Sequence, residues 1–171
     1  RQEITNSSID GRGNIGHKVI KTFLDVSSSS DDMYLGKQDI TNTGFDFRGN
    51  PAHVSIKNYR GDVENKSAGG ALDVFIDRQE ISNDNVDSRG NVGLKTVQTY
   101  GSETSNDKQF YLNKTVTTNT GFDMRGTPKH TTVQNYNVDP ANGAEVYVQR
   151  QEIDNLATDA RGNVTKQNIE T

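Results

Sequence analysis

The chain has no cysteine and no tryptophan, and only three prolines and two methionines in 171 residues. Without cysteine, neither a disulfide nor a thiolate metal site can hold the fold. Bacterial surface proteins often share this composition. Only 30% of residues are hydrophobic and 7% aromatic, too few for a wide globular core. No apolar run approaches the roughly 20 residues that cross a bilayer as a helix, so no membrane span is expected. An excess of one charge is also missing. The net charge of −4 comes from interleaved acids and bases, which favours neither nucleic acid nor an anionic membrane as partner. Low hydrophobicity alone points toward disorder. Residue types held at fixed offsets point the other way.

What the chain does have is repetition. An Asn, three variable residues, an Asp, one variable residue and then Arg-Gly recur with the Asp at 10, 46, 87, 123 and 159, in steps of 36, 41, 36 and 36 residues. A period in this range marks a supersecondary unit copied in tandem. With the Asp as position zero, a base stands at −9 every time: Arg1, Lys37, Arg78, Lys114 and Arg150. Position −6 holds Ile4, Ile40, Ile81, Thr117 and Ile153, and +10 holds Ile20, Ile56, Val97, Val133 and Ile169. Aromatics occupy +13 (Phe23, Tyr59, Tyr100, Tyr136) and −12 (Tyr34, Phe75, Tyr111, Tyr147). These stretches are β-branched and lack helical periodicity, so they predict strands.

Asp-x-Arg-Gly has a mechanical reading. The Asp carboxylate can accept backbone N–H groups two residues on, and the Gly can take a positive φ. Together they predict a three-residue hairpin loop, a type I turn closed by a G1 bulge. The turn residues are Asp10 and Gly13, Asp46 and Gly49, Asp87 and Gly90, Asp123 and Gly126, and Asp159 and Gly162. In this register facing offsets sum to four. Ile4 then meets Ile20, Lys37 meets Tyr59, Glu3 meets Lys21, and Phe45 and Phe122 meet Pro51 and Pro128. Such cross-strand pairs contribute about 0.2–1 kcal/mol each. Even offsets are expected to face inward and odd offsets to face solvent. The inward Asn6, Asn42, Asn83, Asn119 and Asn155 would then form a structural ladder, with equivalent amides bonded between neighbouring hairpins.

The expected fold is all-β: five long antiparallel hairpins in tandem, forming a continuous twisted or curling sheet of solenoid or fibre type. The chain reads as one repeat array over 1–171, with units at 1–23, 34–59, 75–100, 111–136 and 147–171. The array starts and stops inside the repeat, as a segment of a longer chain would. Polar loops at 24–33, 60–73, 101–110 and 137–145 join the units and would carry any binding. A second-order pattern also appears. Units one, three and five share Arg-Gln-Glu-Ile, and units two and four share Thr-Asn-Thr-Gly-Phe-Asp, an overall period of 77 residues.

Phe45-Asp46-Phe47-Arg48-Gly49-Asn50, Phe122-Asp123-Met124-Arg125-Gly126 and Asp159-Ala160-Arg161-Gly162-Asn163-Val164 resemble the core phrase of the YD-repeat, or RHS-repeat, family of large secreted and surface proteins. The position of that family's Tyr is held by Ile9, Phe45, Val86, Phe122 and Thr158. The resemblance implies hairpins joined into a long sheet, extracellular or cell-surface scaffolding, and no catalysis by the repeats.

Other candidates read as structure. His17, His53 and His130 share offset +7, but equivalent atoms two strands apart are about 9.5 Å distant. That is too far for one ion, with Zn–N bonds of about 2.0–2.1 Å. Arg60-Gly61-Asp62 matches an integrin-binding tripeptide, Asp139-Pro140-Ala141-Asn142-Gly143 a turn, and Asn6, Asn65, Asn113 and Asn163 glycosylation acceptors. All are short enough to arise by chance. Five equivalent aspartates do not describe one active site, so no enzyme, cofactor or metal is expected. The expected function is a structural module that pairs edge to edge with adjacent repeats or with copies of itself, assembling as a filament or extended scaffold. The alternatives are an adhesin-like module binding glycan or a surface protein through its loops, and part of a toxin-encapsulating shell.

Overall fold

A computed structural model describes residues 1–24, 33–61, 73–159, 161 and 163–171. The chain is all-β. The strands are β1 Gln2–Ile9, β2 Ile15–Leu24, β3 Met33–Phe45, β4 Pro51–Gly61, β5 Asp73–Val86, β6 Val92–Tyr100, β7 Tyr111–Thr120, β8 His130–Val138, β9 Glu145–Thr158 and β10 Val164–Glu170. Among the described residues, all ten join one open antiparallel sheet in sequence order. The chain divides into two compact units: Arg1–Gln79 with Tyr100–Ser105, and Glu80–Thr99 with Asn106–Thr171.

The turns form as their residues dictate. The Asp N–H donates to the carbonyl four residues on, from Asp10 to Asn14 at 3.0 Å and from Asp46 to Asn50 at 2.9 Å. The Gly N–H closes back on the Asp carbonyl, at 3.0 Å for Gly13 and 2.9 Å for Gly90. Gly13, Gly49, Gly90 and Gly126 hold φ between 84 and 89°, a region that costs a Cβ-bearing residue energy. Gly162 lies outside the described residues. The facing rule holds along the hairpins: Ile4 with Ile20, Lys37 with Tyr59, Ile40 with Ile56, Lys114 with Tyr136, and Ile153 with Ile169. Phe45 pairs with Pro51, but Phe122 and Pro128 fall outside the strands. There the Lys129 N–H is shared between the Thr120 and Gly121 carbonyls, at 3.1 and 3.3 Å.

A second constraint sits two residues before each Asp. Ser8, Gly44, Asn85 and Gly121 all take positive φ, between 51 and 68°. The residues that face them at +6 are Gly16, Ala52, Gly93 and Lys129. Each pair contains one glycine, and it alternates sides. A Cβ at Gly16 would stand 2.8 Å from the Ser8 carbonyl oxygen, and one at Gly93 would stand 2.9 Å from that of Asn85. Where the glycine is at −2, the opposite side chain fits instead, Ala52 Cβ lying 3.0 Å from a Cβ built at Gly44. This alternation gives the 77-residue pattern a physical cause. The fifth hairpin has Ala157 and Thr165 in these places, with no glycine. Its register shifts there, Lys166 pairing with Ala157.

The expectation of an inward even face and an outward odd face is corrected. Neither face is a core: among described hydrophobic residues only Tyr100 is buried, at 7% exposure, and the buried charged residue is Arg78, at 5%. Both have odd offsets. Arg78 lies over the Tyr100 ring at 4.9 Å and is itself met by a chain segment rather than a second sheet, donating to the carbonyls of Glu103 and Ser105 at 3.1 Å each. A β-bulge also changes the parity. Thr22 pairs with Gly36 and Phe23 with Tyr34, leaving Leu35 as the extra residue. Asn135 pairs with Gln149 and Tyr136 with Tyr147, leaving Val148 extra. The bulge brings the −12 aromatic onto the odd face, beside the +13 aromatic of the preceding hairpin.

Candidate functional site

The chemistry of the molecule is concentrated in the contacts by which one hairpin holds the next. At the turns the Asp carboxylate is fully engaged. Asp87 Oδ1 accepts the N–H groups of Arg89 (2.8 Å) and Asn91 (3.0 Å), and Oδ2 accepts the Asn91 carboxamide (2.9 Å). Asp10, Asp46 and Asp159 repeat this arrangement with Asn14, Asn50 and Asn163. At Asp123, where Thr127 stands at +4, Oδ1 accepts the N–H groups of Arg125 (2.8 Å) and Thr127 (2.9 Å). The side-chain bond from Asn14 chiefly holds the Asp10 carboxyl below the ordinary carboxylate range. For Asp46, Asp87 and Asp123 the backbone N–H at +4 is the main cause of the same downward shift.

In two hairpins the Arg of the turn phrase reaches the next turn. Arg12 Nη1 donates to the Asp46 carbonyl at 3.1 Å, and Arg89 Nη1 to the Asp123 carbonyl at 2.5 Å. The Asn at +4 leans the same way. A Cβ on Gly49 would collide with Asn14 Oδ1, and one on Gly126 with Asn91 Oδ1. Gly49 and Gly126 therefore serve both their own φ and the approach of the neighbouring turn.

The Asn at −4 makes a second link, and it corrects the amide ladder. Asn42 donates to the Ile15 carbonyl (2.9 Å), Asn119 to Val92 (3.1 Å) and Asn155 to Pro128 (2.7 Å). Equivalent amides are two strands apart, out of hydrogen-bond reach. The carbonyl at +5 of the preceding hairpin is nearer.

A third link is the aromatic column on the odd face. Phe23 meets Tyr34 at 5.6 Å between ring centroids, and Tyr59 meets Phe75, and Tyr136 meets Tyr147, at 5.8 Å. The −9 cation lies over the +13 ring of its own hairpin: Arg1 on Phe23, Lys37 on Tyr59, Arg78 on Tyr100 and Lys114 on Tyr136, at 4.6–5.2 Å. An acid then ties ring hydroxyl to cation. Asp73 takes Tyr34 Oη and Lys37 Nζ, each at 2.5 Å, and Glu145 takes Tyr111 Oη (2.9 Å) and Lys114 Nζ (2.7 Å). Burial works against the Asp73 anion, but the bonds from Lys37 and Tyr34 keep its carboxyl below the usual range. Burial and the Asp73 bond push the Tyr34 phenol up.

His17 and His130 form a fourth link. His17 Nε2 lies 2.7 Å from Asp39 Oδ1. His130 Nδ1 lies 2.7 Å from Asp154 Oδ1, and its Nε2 lies 2.8 Å from Glu152 Oε2. The Asp154 bond raises the His130 pKa above the usual imidazole value.

No family model and no curated protein matches the chain. A crystal structure of a protein of unknown function from Bacteroides fragilis NCTC 9343, solved at 1.90 Å, is similar over 88% of this chain and 90% of that one. The TM-score is 0.50 and the sequence identity 10%. The likeness is one of fold alone.

The remaining sequence candidates are placed as follows. Arg60 and Gly61 end strand β4, with Arg60 paired to Gly36; this is ladder rather than loop, and Asp62 lies outside the described residues. Asn65 and residues 25–32 also lie outside them. The turn at Asp139 is present. Its carboxylate accepts the Ala141 N–H and the Asn142 carboxamide at 2.9 Å each, which leaves little of it for a cation. Asn163 is tied to Asp159. A groove beside β10 is lined by Tyr147, Arg150, Glu152 and Glu170 among others. Of its charged groups, Arg150 pairs with Glu152. The role of the Arg at +2 had no expectation attached, although its recurrence in every unit was the available signal.

Proposed function

We propose that this chain is a structural repeat module of an extracellular or cell-surface protein, extended by edge-to-edge pairing of its hairpins into a scaffold or filament. The observation that carries the proposal is that successive hairpins are held by the same few links, each joining fixed repeat positions: Arg12 to Asp46 and Arg89 to Asp123, Asn42 to Ile15 and Asn155 to Pro128. A system of this kind can be lengthened by one unit without a new kind of contact. Inside the array, Arg12, Arg89, Asn42, Asn119 and Asn155 are engaged in these links, as befits scaffolding. The extracellular part of the reading rests on the resemblance of the turn phrase to YD-repeat proteins. Sedimentation velocity over a wide concentration range, with electron microscopy of the same samples, tests the reading. Concentration-dependent linear particles are expected. A monomer that stays monomeric throughout would overturn it.

A further inference from the structure

We infer that the β10 edge of one copy takes the β1 edge of a second copy, head to tail, in the register that already joins hairpins within the chain; this rests on the scaffold reading above. Between hairpins, facing offsets sum to two: His17 with Thr41 and Lys18 with Ile40 in one unit, and His130 with Asp154 and Thr131 with Ile153 in the other. Continued across two copies, the same rule sets Gln167 against Ile4, Asn168 against Glu3, Ile169 against Gln2 and Glu170 against Arg1.

Three observations favour this partner. First, the two edges carry opposite halves of the same links. β1 brings the Asn6 carboxamide, which has no hydrogen-bond partner among the described residues, and the turn before β2 brings the Asp10 carbonyl, placed as the Arg-accepting carbonyls of Asp46 and Asp123 are. The β10 side brings the Val164 carbonyl, at the position of the acceptors Ile15, Val92 and Pro128. It also brings the Arg161 guanidinium, at the position of the donors Arg12 and Arg89. Donor meets acceptor only when unlike edges meet, so the contact is heterologous and does not close on itself as a two-fold dimer. Second, Glu170 faces Glu152 within its own hairpin, a like-charge pair that is unfavourable. Across copies it would face Arg1. Third, Ile4 is 58% exposed and Ile169 is 54% exposed, whereas Ile40 and Ile56, at the same offsets inside the sheet, are half-buried.

The absence of cysteine makes the test clean. Ile4→Cys and Gln167→Cys are prepared separately, then mixed under mild oxidation at a concentration where the wild-type chain associates. Facing strand residues lie about 4.5–5.5 Å apart between Cα atoms, within the roughly 4.4–6.8 Å a disulfide spans. The mixture should give a disulfide-linked dimer nearly absent from either variant alone, and Arg161→Glu in the Gln167→Cys chain should suppress it. Gln2→Cys with Ile169→Cys is a second pair in the same register, should the first disturb folding. Homodimers of a single variant as the main product would overturn the inference in favour of like-edge pairing. No cross-link in samples that sedimentation shows to be assembled would overturn this register and leave the scaffold reading standing. No cross-link and no assembly would overturn both.

Discussion

One glycine per facing pair, at either −2 or +6, decides whether a hairpin can close next to its turn. The residue at −2 must adopt a positive φ, and its carbonyl or side chain then crowds the strand opposite. Gly16→Ala places a Cβ 2.8 Å from the Ser8 carbonyl and should cost about 1–3 kcal/mol, the scale of local backbone strain. Adding Ser8→Gly reproduces the Gly44–Ala52 arrangement and should restore most of the loss. Urea midpoints of the wild type, the single variant and the double variant measure both effects. A double variant no more stable than Gly16→Ala would show that the pairing rule is not the cause. The turn carboxylates give a pH dependence of definite sign. Their folded pKa values are depressed, so their contribution is full above the unfolded value of about 3.9 and is lost as pH falls through the lower folded values. Stability should therefore drop below about pH 4, and Asp87→Asn, which does not titrate, should flatten the drop in an acid–urea series. The turn chemistry was legible because it is local: Asp, Gly and their spacing determine each other within four residues. The destination of the +2 arginine was not, because it is a carbonyl 34 positions away in sequence.

At the scale of the strand, the facing register was legible and the sheet's two faces were not. Four kinds of residue pair agreed on a sum of four, and the ladders of β1–β2, β3–β4 and β7–β8 follow it. The failure came from Leu35 and Val148, single extra residues that turn the strand over. Alternation read along one strand carries no sign of a bulge imposed by the neighbour. The aromatic column built by that bulge should contribute measurably. Tyr136 packs on Tyr147 and lies under Lys114. Tyr136→Leu should lose about 1–2 kcal/mol, summing a ring pair and an exposed cation–π contact. Unfolding of this variant beside Lys114→Met would separate the two contributions. The β8–β9 joint also carries a titrating group. His130 is faced by Asp154, Glu152 and Thr132. Its raised pKa means that its contribution is complete below the unfolded value of about 6.5 and fades as pH rises through the folded value. NMR titration of the His130 ring should give a midpoint above that of a free imidazole, and Asp154→Asn should lower it. An unshifted midpoint in the wild type would remove the clasp.

At the scale of the whole chain, ten strands in sequence order with one buried hydrophobic side chain among the described residues leave stability to nearest-neighbour links rather than to a shared core. Chains held this way behave like one-dimensional arrays, in which interior units gain from two neighbours and terminal units from one. Opening should therefore begin at the ends. β1 is exposed along its whole length and β10 nearly so, and the fifth hairpin adds a register shift. Hydrogen exchange at low concentration should release the amides of β1 and β10 first, with β3, β4 and β8 protected longer. Raising the protein concentration then separates fraying from assembly. A partner bound only to the folded edge stabilises that edge by mass action, so exchange at β1 and β10 should slow together while interior strands keep their rates. Slowing at one of the two edges alone would be the mark of like-edge pairing. Rates independent of concentration at both would mean that the sheet ends are not where this molecule meets another copy of itself.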